Sequence, residues 1–141
     1  MTEYAVLDLF AGLGGFSQAF ADDPAWSVTT VDNDPSFDPD RCVDVFGLQP
    51  SDFDREYDVI LASPPCTEFS TATNMNDGDH VIDGDAIALV FHTVGLIRGL
   101  KPSYWWLENP VGHLRKFLDR PAGTVTYCRY GTSYQKPTDL W

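Results

Sequence analysis

Tyr4-Ala5-Val6-Leu7-Asp8-Leu9, followed by Ala11-Gly12-Leu13-Gly14-Gly15 and a short run through Phe20, reads as a strand, a glycine-rich turn and a helix. Glycines between a strand and a helix let the backbone come close to a ligand. The alternation continues along the chain. Trp26 to Val31 reads as a second strand ending in Asp32-Asn33-Asp34, Pro35 to Pro39 as a polar turn, Arg41 to Val45 as a weak third strand, and Tyr57 to Ala62 as a strong fourth. Thr67 to Gly84, rich in Thr, Asn, Asp and Gly, reads as a long polar loop, a length usually kept for function or motion. Ala86 to Leu100 predicts a covering helix, Ser103 to Leu107 a fifth strand, Val111 to Leu118 another helix and Thr124 to Tyr130 a sixth strand. Strands alternating with helices predict an α/β fold with a mostly parallel sheet and helices on both faces. No repeat or linker divides residues 1–141, so a single domain is expected.

The 141 residues, 43% hydrophobic and 13% aromatic, suffice for one domain with a modest core and do not have the composition of a disordered chain. Three cysteines, Cys42, Cys66 and Cys128, with no CxxC pair, argue against a disulfide framework and a structural zinc site and for a reducing compartment. The longest apolar stretch, Ala86 to Leu100, is too short to span a bilayer and carries His92 and Arg98. No basic apolar segment precedes the first strand, so a cytoplasmic protein is expected. A net charge of −12 repels phosphate and disfavours nucleic-acid binding in general. Of the nine Lys and Arg, however, Arg115, Lys116, Arg120, Arg129 and Lys136 gather late in the chain. The acidic remainder reads as a solvated face, of the kind that suits a high-salt cytoplasm where phosphate attraction is already screened.

Candidate chemistry lies where strands end. Pro64-Pro65-Cys66 closes the run Val59-Ile60-Leu61-Ala62, and the two prolines aim Cys66 at the edge where open α/β sheets bind ligands. A thiol there can act as a nucleophile, against the alternative of a small buried residue. Asp32, twenty residues after Gly12, is placed to hold the two hydroxyls of a ribose, and Asp44 to accept from the exocyclic amine of an adenine. Either is otherwise a turn or cap carboxylate. Ser17 stands where the third glycine of GxGxxG would be, which favours a nucleoside without phosphates. In Trp105-Trp106-Leu107-Glu108-Asn109-Pro110 an apolar strand ends in an acid and an amide. A carboxylate there is costly unless paired or used, and partial burial moves it toward a proton donor; the alternative is a cap or an ion-pair partner. One helix between the fourth and fifth strands makes them neighbours, bringing Cys66 and Glu108 to one cleft.

Taken in order, these blocks resemble the catalytic core of the DNA cytosine-5 methyltransferases, which use S-adenosylmethionine. The stretch from Asp8 to Phe16 resembles the family's cofactor motif, implying cofactor contacts at Asp8, Phe10, Gly12 and Gly14. Asp32 and the pair Asp44-Val45 fall where the family holds ribose and adenine. Pro64-Pro65-Cys66 with Phe69-Ser70 resembles the nucleophile motif, implying Pro64 on the cofactor side and Pro65 and Ser70 on the substrate side. Glu108-Asn109 resembles the cytosine-recognising pair. The similarity runs from Tyr4 to Trp141. It implies a Rossmann-like S-adenosylmethionine-dependent methyltransferase fold, a DNA substrate, and methyl transfer to C5 of a flipped-out cytosine through a covalent adduct of Cys66. It also implies that Asn109 holds the nucleophile loop and that the loop from Thr67 to Gly84 closes over DNA.

The departures are specific. A Gln-x-Arg-x-Arg block in the family corresponds to Gln135-Lys136-Pro137-Thr138-Asp139, so both arginines are replaced. Asn33 stands where an aromatic commonly covers the adenine, and Pro110 where a valine is common. The chain stops at Trp141, at the expected start of the last antiparallel strand, so the fold is expected to be C-terminally truncated, with no target-recognition domain. Two readings follow: an enzyme whose target recognition lies downstream or on a second chain, or an inactive remnant that keeps the fold and cofactor pocket.

Overall fold

The computed structural model describes residues 3–66, 83–126, 129, 133 and 135–141. Its elements are β1 (Tyr4–Leu9), α1 (Gln18–Ala21), β2 (Trp26–Asp32), β3 (Arg41–Cys42), β4 (Val59–Ala62), α2 (Gly84–Leu100), β5 (Tyr104–Pro110), β6 (Gly123–Thr126) and β7 (Pro137–Leu140). They form one sheet of order β3-β2-β1-β4-β5-β7-β6. Strands β3, β2, β1, β4 and β5 are mutually parallel, while β7 runs antiparallel between β5 and β6. The chain leaves β1 toward β2 and β3, then returns to β4 on the other side of β1. That reversal opens a crevice beyond the carboxyl ends of β1 and β4, where ligands of open α/β sheets bind.

Side chains alternate across the sheet. Leu7 and Leu9 of β1 join Val31, Ile60, Ala62 and Leu107 under α2, whose Val90, Leu96 and Ile97 return on one stripe and complete the main core. On the other face Val6, Val59 and Leu61 are covered by Phe16, Phe20 and Trp26 around the four-residue α1. Helix α2 begins at Asp83, whose carboxylate accepts from the Asp85 amide at 3.1 Å, and stops at Lys101 in the left-handed region. Gly99 sits against Pro50, where an added Cβ would come within 2.5 Å of the ring.

Three sequence expectations change. The third strand stops at Cys42 because Asp44 accepts from the Phe46 amide at 2.9 Å and starts a 3-10 turn, Val45–Gly47. Val111 to Leu118 holds one 3-10 turn, His113–Lys116, instead of a helix: no side chain caps it, and only Leu114 of the turn is buried. Strand β5 runs on through Glu108, Asn109 and Pro110 because β7 gives these residues an antiparallel partner beyond the parallel pairing with β4. Strand β7, Pro137–Leu140, is formed and paired on both sides. The sixth strand is Gly123–Thr126, and Tyr127, Cys128 and Tyr130 lie outside the described residues, as do 67–82 and with them Ser70.

Candidate active site

The turn after β1 is shaped by its backbone. Phe10, Gly12 and Gly14 have φ of 62°, 52° and 80°, a region that glycine enters without steric cost and Phe10 only under local constraint. A Cβ built at Gly12, Gly14 or Gly15 would meet nothing within 4 Å, so the turn faces open space. Asp32 fixes it: Oδ2 accepts from the Gly12 amide and Oδ1 from the Asp34 amide, both at 2.9 Å. A carboxylate oxygen has two acceptor positions, so each retains one toward that space. The turn carboxylate and the ribose-holding carboxylate of the sequence reading are therefore compatible roles.

Asp8 takes another part. Its side chain is fully buried, with Oδ2 accepting from the Ser17 hydroxyl at 2.5 Å and Oδ1 without a partner among the described residues. Burial pushes its carboxyl up to about 6, against the Ser17 hydrogen bond, with a further push from the charge of Asp32. The structure thus puts Asp8 beneath the turn, supporting it from inside.

Two cavities flank the β4 exit. One of about 520 Å³ is lined by Asp44, Phe46, Pro64, Pro65, Asp83 and Leu89, among others. Its character is apolar with an acidic rim, suited to a flat nitrogenous ring that presents an amine. Val45 turns its side chain into the core and can offer this cavity only main chain. Phe46, which the sequence reading passed over, is half exposed and stacks on His92 with centroids 5.2 Å apart. An exposed aromatic directly after the Asp44 cap was the available signal.

The second cavity, about 500 Å³, is lined by Phe10, Ala11, Gly15, Phe16, Ser63, Glu108, Val125, Thr138 and Leu140. Ala62 pairs with Leu107, so the chain leaving β4 through Ser63 and Pro64 runs beside Glu108 and Asn109, and Cys66 follows two residues further on. Asn109 is fully buried and its Nδ2 donates to the Pro64 carbonyl at 3.1 Å, tying the nucleophile turn to β5; its Oδ1 has no partner among the described residues. Cys66 is a half-buried free thiol. The Thr138 hydroxyl on β7 donates to Glu108 Oε1 at 3.2 Å, a contact no sequence pattern indicated. Asp139, at one of the replaced arginine positions, is buried and held by Arg115 through Nε and Nη2, at 2.5 and 2.7 Å, and by the Thr124 hydroxyl at 2.6 Å. The guanidinium thus lies on the turn after β5 and the acid on β7.

The family model for C-5 cytosine-specific DNA methylases matches residues 4–121. A probable DNA (cytosine-5)-methyltransferase of Frog virus 3 (isolate Goorha) is 32% identical over an alignment covering 96% of this chain and 69% of that protein. Type II methyltransferase M.XorII of Xanthomonas oryzae pv. oryzae is also 32% identical, covering 84% of this chain but 32% of its own length. Among solved structures, one assigned as a DNA modification methyltransferase encoded within a prophage (E. coli) superposes with a TM-score of 0.71 at 23% identity, over 97% of this chain and 45% of that one. It supports the fold.

Proposed function

The chain belongs to the C-5 cytosine-specific DNA methylase family, and from that premise we propose that residues 1–141 are a single catalytic unit of a DNA cytosine-5 methyltransferase. The observation that carries the reading is the bond from Asn109 Nδ2 to the Pro64 carbonyl, which ties the chain leading to Cys66 to the strand that carries Glu108.

The cofactor of this family, S-adenosylmethionine, fits the residues present. Open space over Gly12, Gly14 and Gly15 admits it, Asp32 has acceptor capacity for ribose hydroxyls, and Asp44, Phe46, Pro64 and Leu89 line a cavity for the adenine. When bound it supplies an electrophilic methyl group. The protein does the rest. Cys66 as thiolate forms a bond to C6 of the flipped-out cytosine, and the displaced electron pair moves toward N3, where the Glu108 carboxyl donates a hydrogen bond. This makes C5 nucleophilic. After methyl transfer, loss of the C5 proton and departure of Cys66 restore the ring. Phe10, Phe16 and Leu140 give the cavity that holds Glu108 an apolar lining.

DNA is the substrate in this reading, and target recognition is contributed by further residues or a second chain. Among the described residues no helix is long and apolar enough to cross a membrane. The free thiols Cys42 and Cys66 accord with a cytoplasmic setting. The test is a duplex in which every cytosine carries fluorine at C5, incubated with cofactor. Because fluorine blocks the final elimination, a covalent adduct should accumulate at Cys66 and be absent in Cys66→Ala. An adduct mapped to Cys42 or Cys128 would refute the assignment, and none at any cysteine would leave a remnant that keeps only the fold.

A further inference from the structure

We infer that His92 of α2 is a positioning residue for the cofactor's adenine: it holds the Phe46 ring from behind, as the flat surface on which that base stacks. The inference rests on the cofactor reading in the function proposed above. Phe46 lies in the 3-10 turn Val45–Gly47 and is half exposed. Among the described residues it is the one aromatic side chain that lines the cavity of about 520 Å³. Asp44, at the head of the turn, lines the same cavity and accepts from the Phe46 amide at 2.9 Å. An acceptor for an amine and a ring face thus come from one short turn.

A half-exposed ring on a surface turn changes rotamer readily. Two contacts restrain this one. The imidazole of His92 stacks on Phe46 with centroids 5.2 Å apart and planes 25° from parallel, and its Nε2 donates to the Leu48 carbonyl at 2.9 Å, at the other end of the turn. Held at both points, the imidazole keeps one orientation and passes it to Phe46. Leu89 lies three residues earlier on α2, on the same side of the helix, and lines the adenine cavity. His92 lines a separate cavity with Leu48, Pro50 and Leu96. It therefore takes one face of Phe46 from outside the adenine cavity and leaves the other to a base within it. Ordering one side chain before the ligand arrives is worth about two- to tenfold in affinity.

The experiment measures S-adenosylmethionine affinity by calorimetry on the 141-residue chain without DNA, alongside thermal unfolding of each ligand-free variant. His92→Phe keeps a ring and loses the donor, while His92→Gln keeps a donor for the Leu48 carbonyl and loses the ring. Phe46→Leu should weaken binding by about tenfold or more, through loss of the stacking face. His92→Ala should weaken it by about two- to tenfold, His92→Phe should restore it, and His92→Gln should not. In the Phe46→Leu background His92→Ala should cost nothing further, which a general loosening of the fold would not produce. If His92→Ala fails to fold, His92→Phe against His92→Gln makes the same comparison. Wild-type affinity in His92→Ala or His92→Gln, recovery by Gln and not by Phe, or an equal loss with and without the Phe46 ring overturns the positioning role while the proposed function stands. A wild-type chain that binds no S-adenosylmethionine refutes both. Cofactor binding that follows this pattern with no adduct at Cys66 supports the positioning role and refutes the catalytic reading alone.

Discussion

Replacing Asp8 by Asn should stabilise the protein at neutral pH and not at acid pH. Asp8 is fully buried, one of its oxygens has no partner among the described residues, and its carboxyl is raised from 3.8 to about 6, chiefly by burial. A shift of roughly two pH units corresponds to about 3 kcal/mol of difference between the protonated and ionised forms in the folded state. Because the folded value lies above the unfolded one, the native state binds the proton more tightly. Stability contributed by this group is present below the unfolded value and is lost as pH rises through the folded one. Asn at this position cannot ionise. Its Oδ1 can still accept from Ser17, and an amide left unpaired at the other position costs about 1 to 3 kcal/mol at every pH. The pH dependence is therefore the cleaner signal than the absolute stability. Denaturant unfolding of both proteins should give a difference that moves in favour of Asp8→Asn by about 2 kcal/mol between about pH 4 and pH 7. A difference that stays flat over that range, or that moves toward the wild type, refutes the account of a costly buried charge beneath the glycine turn.

Other residues make further tests. Asp32→Ala should weaken S-adenosylmethionine binding by about 2 to 4 kcal/mol through loss of charge-assisted hydrogen bonds, measured by calorimetry; unchanged affinity would place the ribose elsewhere. Burial raises the Asp139 carboxyl, but hydrogen bonds from Arg115 and Thr124 outweigh it and hold the group below its usual value. Its contribution is thus present above the unfolded carboxylate range and lost as pH falls through the folded value. Arg115→Ala should lower the unfolding temperature at neutral pH and do so progressively less as the solution is acidified below about pH 4, followed by calorimetric scans. The net charge of −12 predicts that the 141-residue chain binds duplex DNA only in the nonspecific range, about 10⁻⁴ to 10⁻⁶ M. Nanomolar, sequence-selective binding in a titration against several duplexes would show that recognition resides within these residues.

The parts legible in the sequence were those written in local order. Strand β1 and its turn follow from apolar alternation and glycine spacing and came out as read, and Asp32 ends the next strand with its carboxylate on the Gly12 amide. That β4 and β5 lie side by side, with Pro64 against Asn109, followed from one helix joining two parallel strands. The illegible parts were decided by particular hydrogen bonds and pairings that composition does not reveal. Arg41 to Val45 has strand composition throughout, yet the Asp44 carboxylate captured the Phe46 amide and ended the strand. Val111 to Leu118 has enough apolar residues for a helix, but it buries only Leu114 in its turn, and Arg115 is drawn to Asp139, 24 residues on.

Glu108 marks the division most sharply. That an acid closes an apolar strand is a property of six consecutive residues and is readable from them. That this acid lies within a strand and receives a hydroxyl from Thr138, 30 positions on in the sequence, depends on β7 pairing with β5. Local sequence encodes φ/ψ preference and which faces are apolar. It does not encode antiparallel register between distant segments, because register is set by the burial of both faces and by backbone hydrogen bonds that exist only once the sheet has assembled.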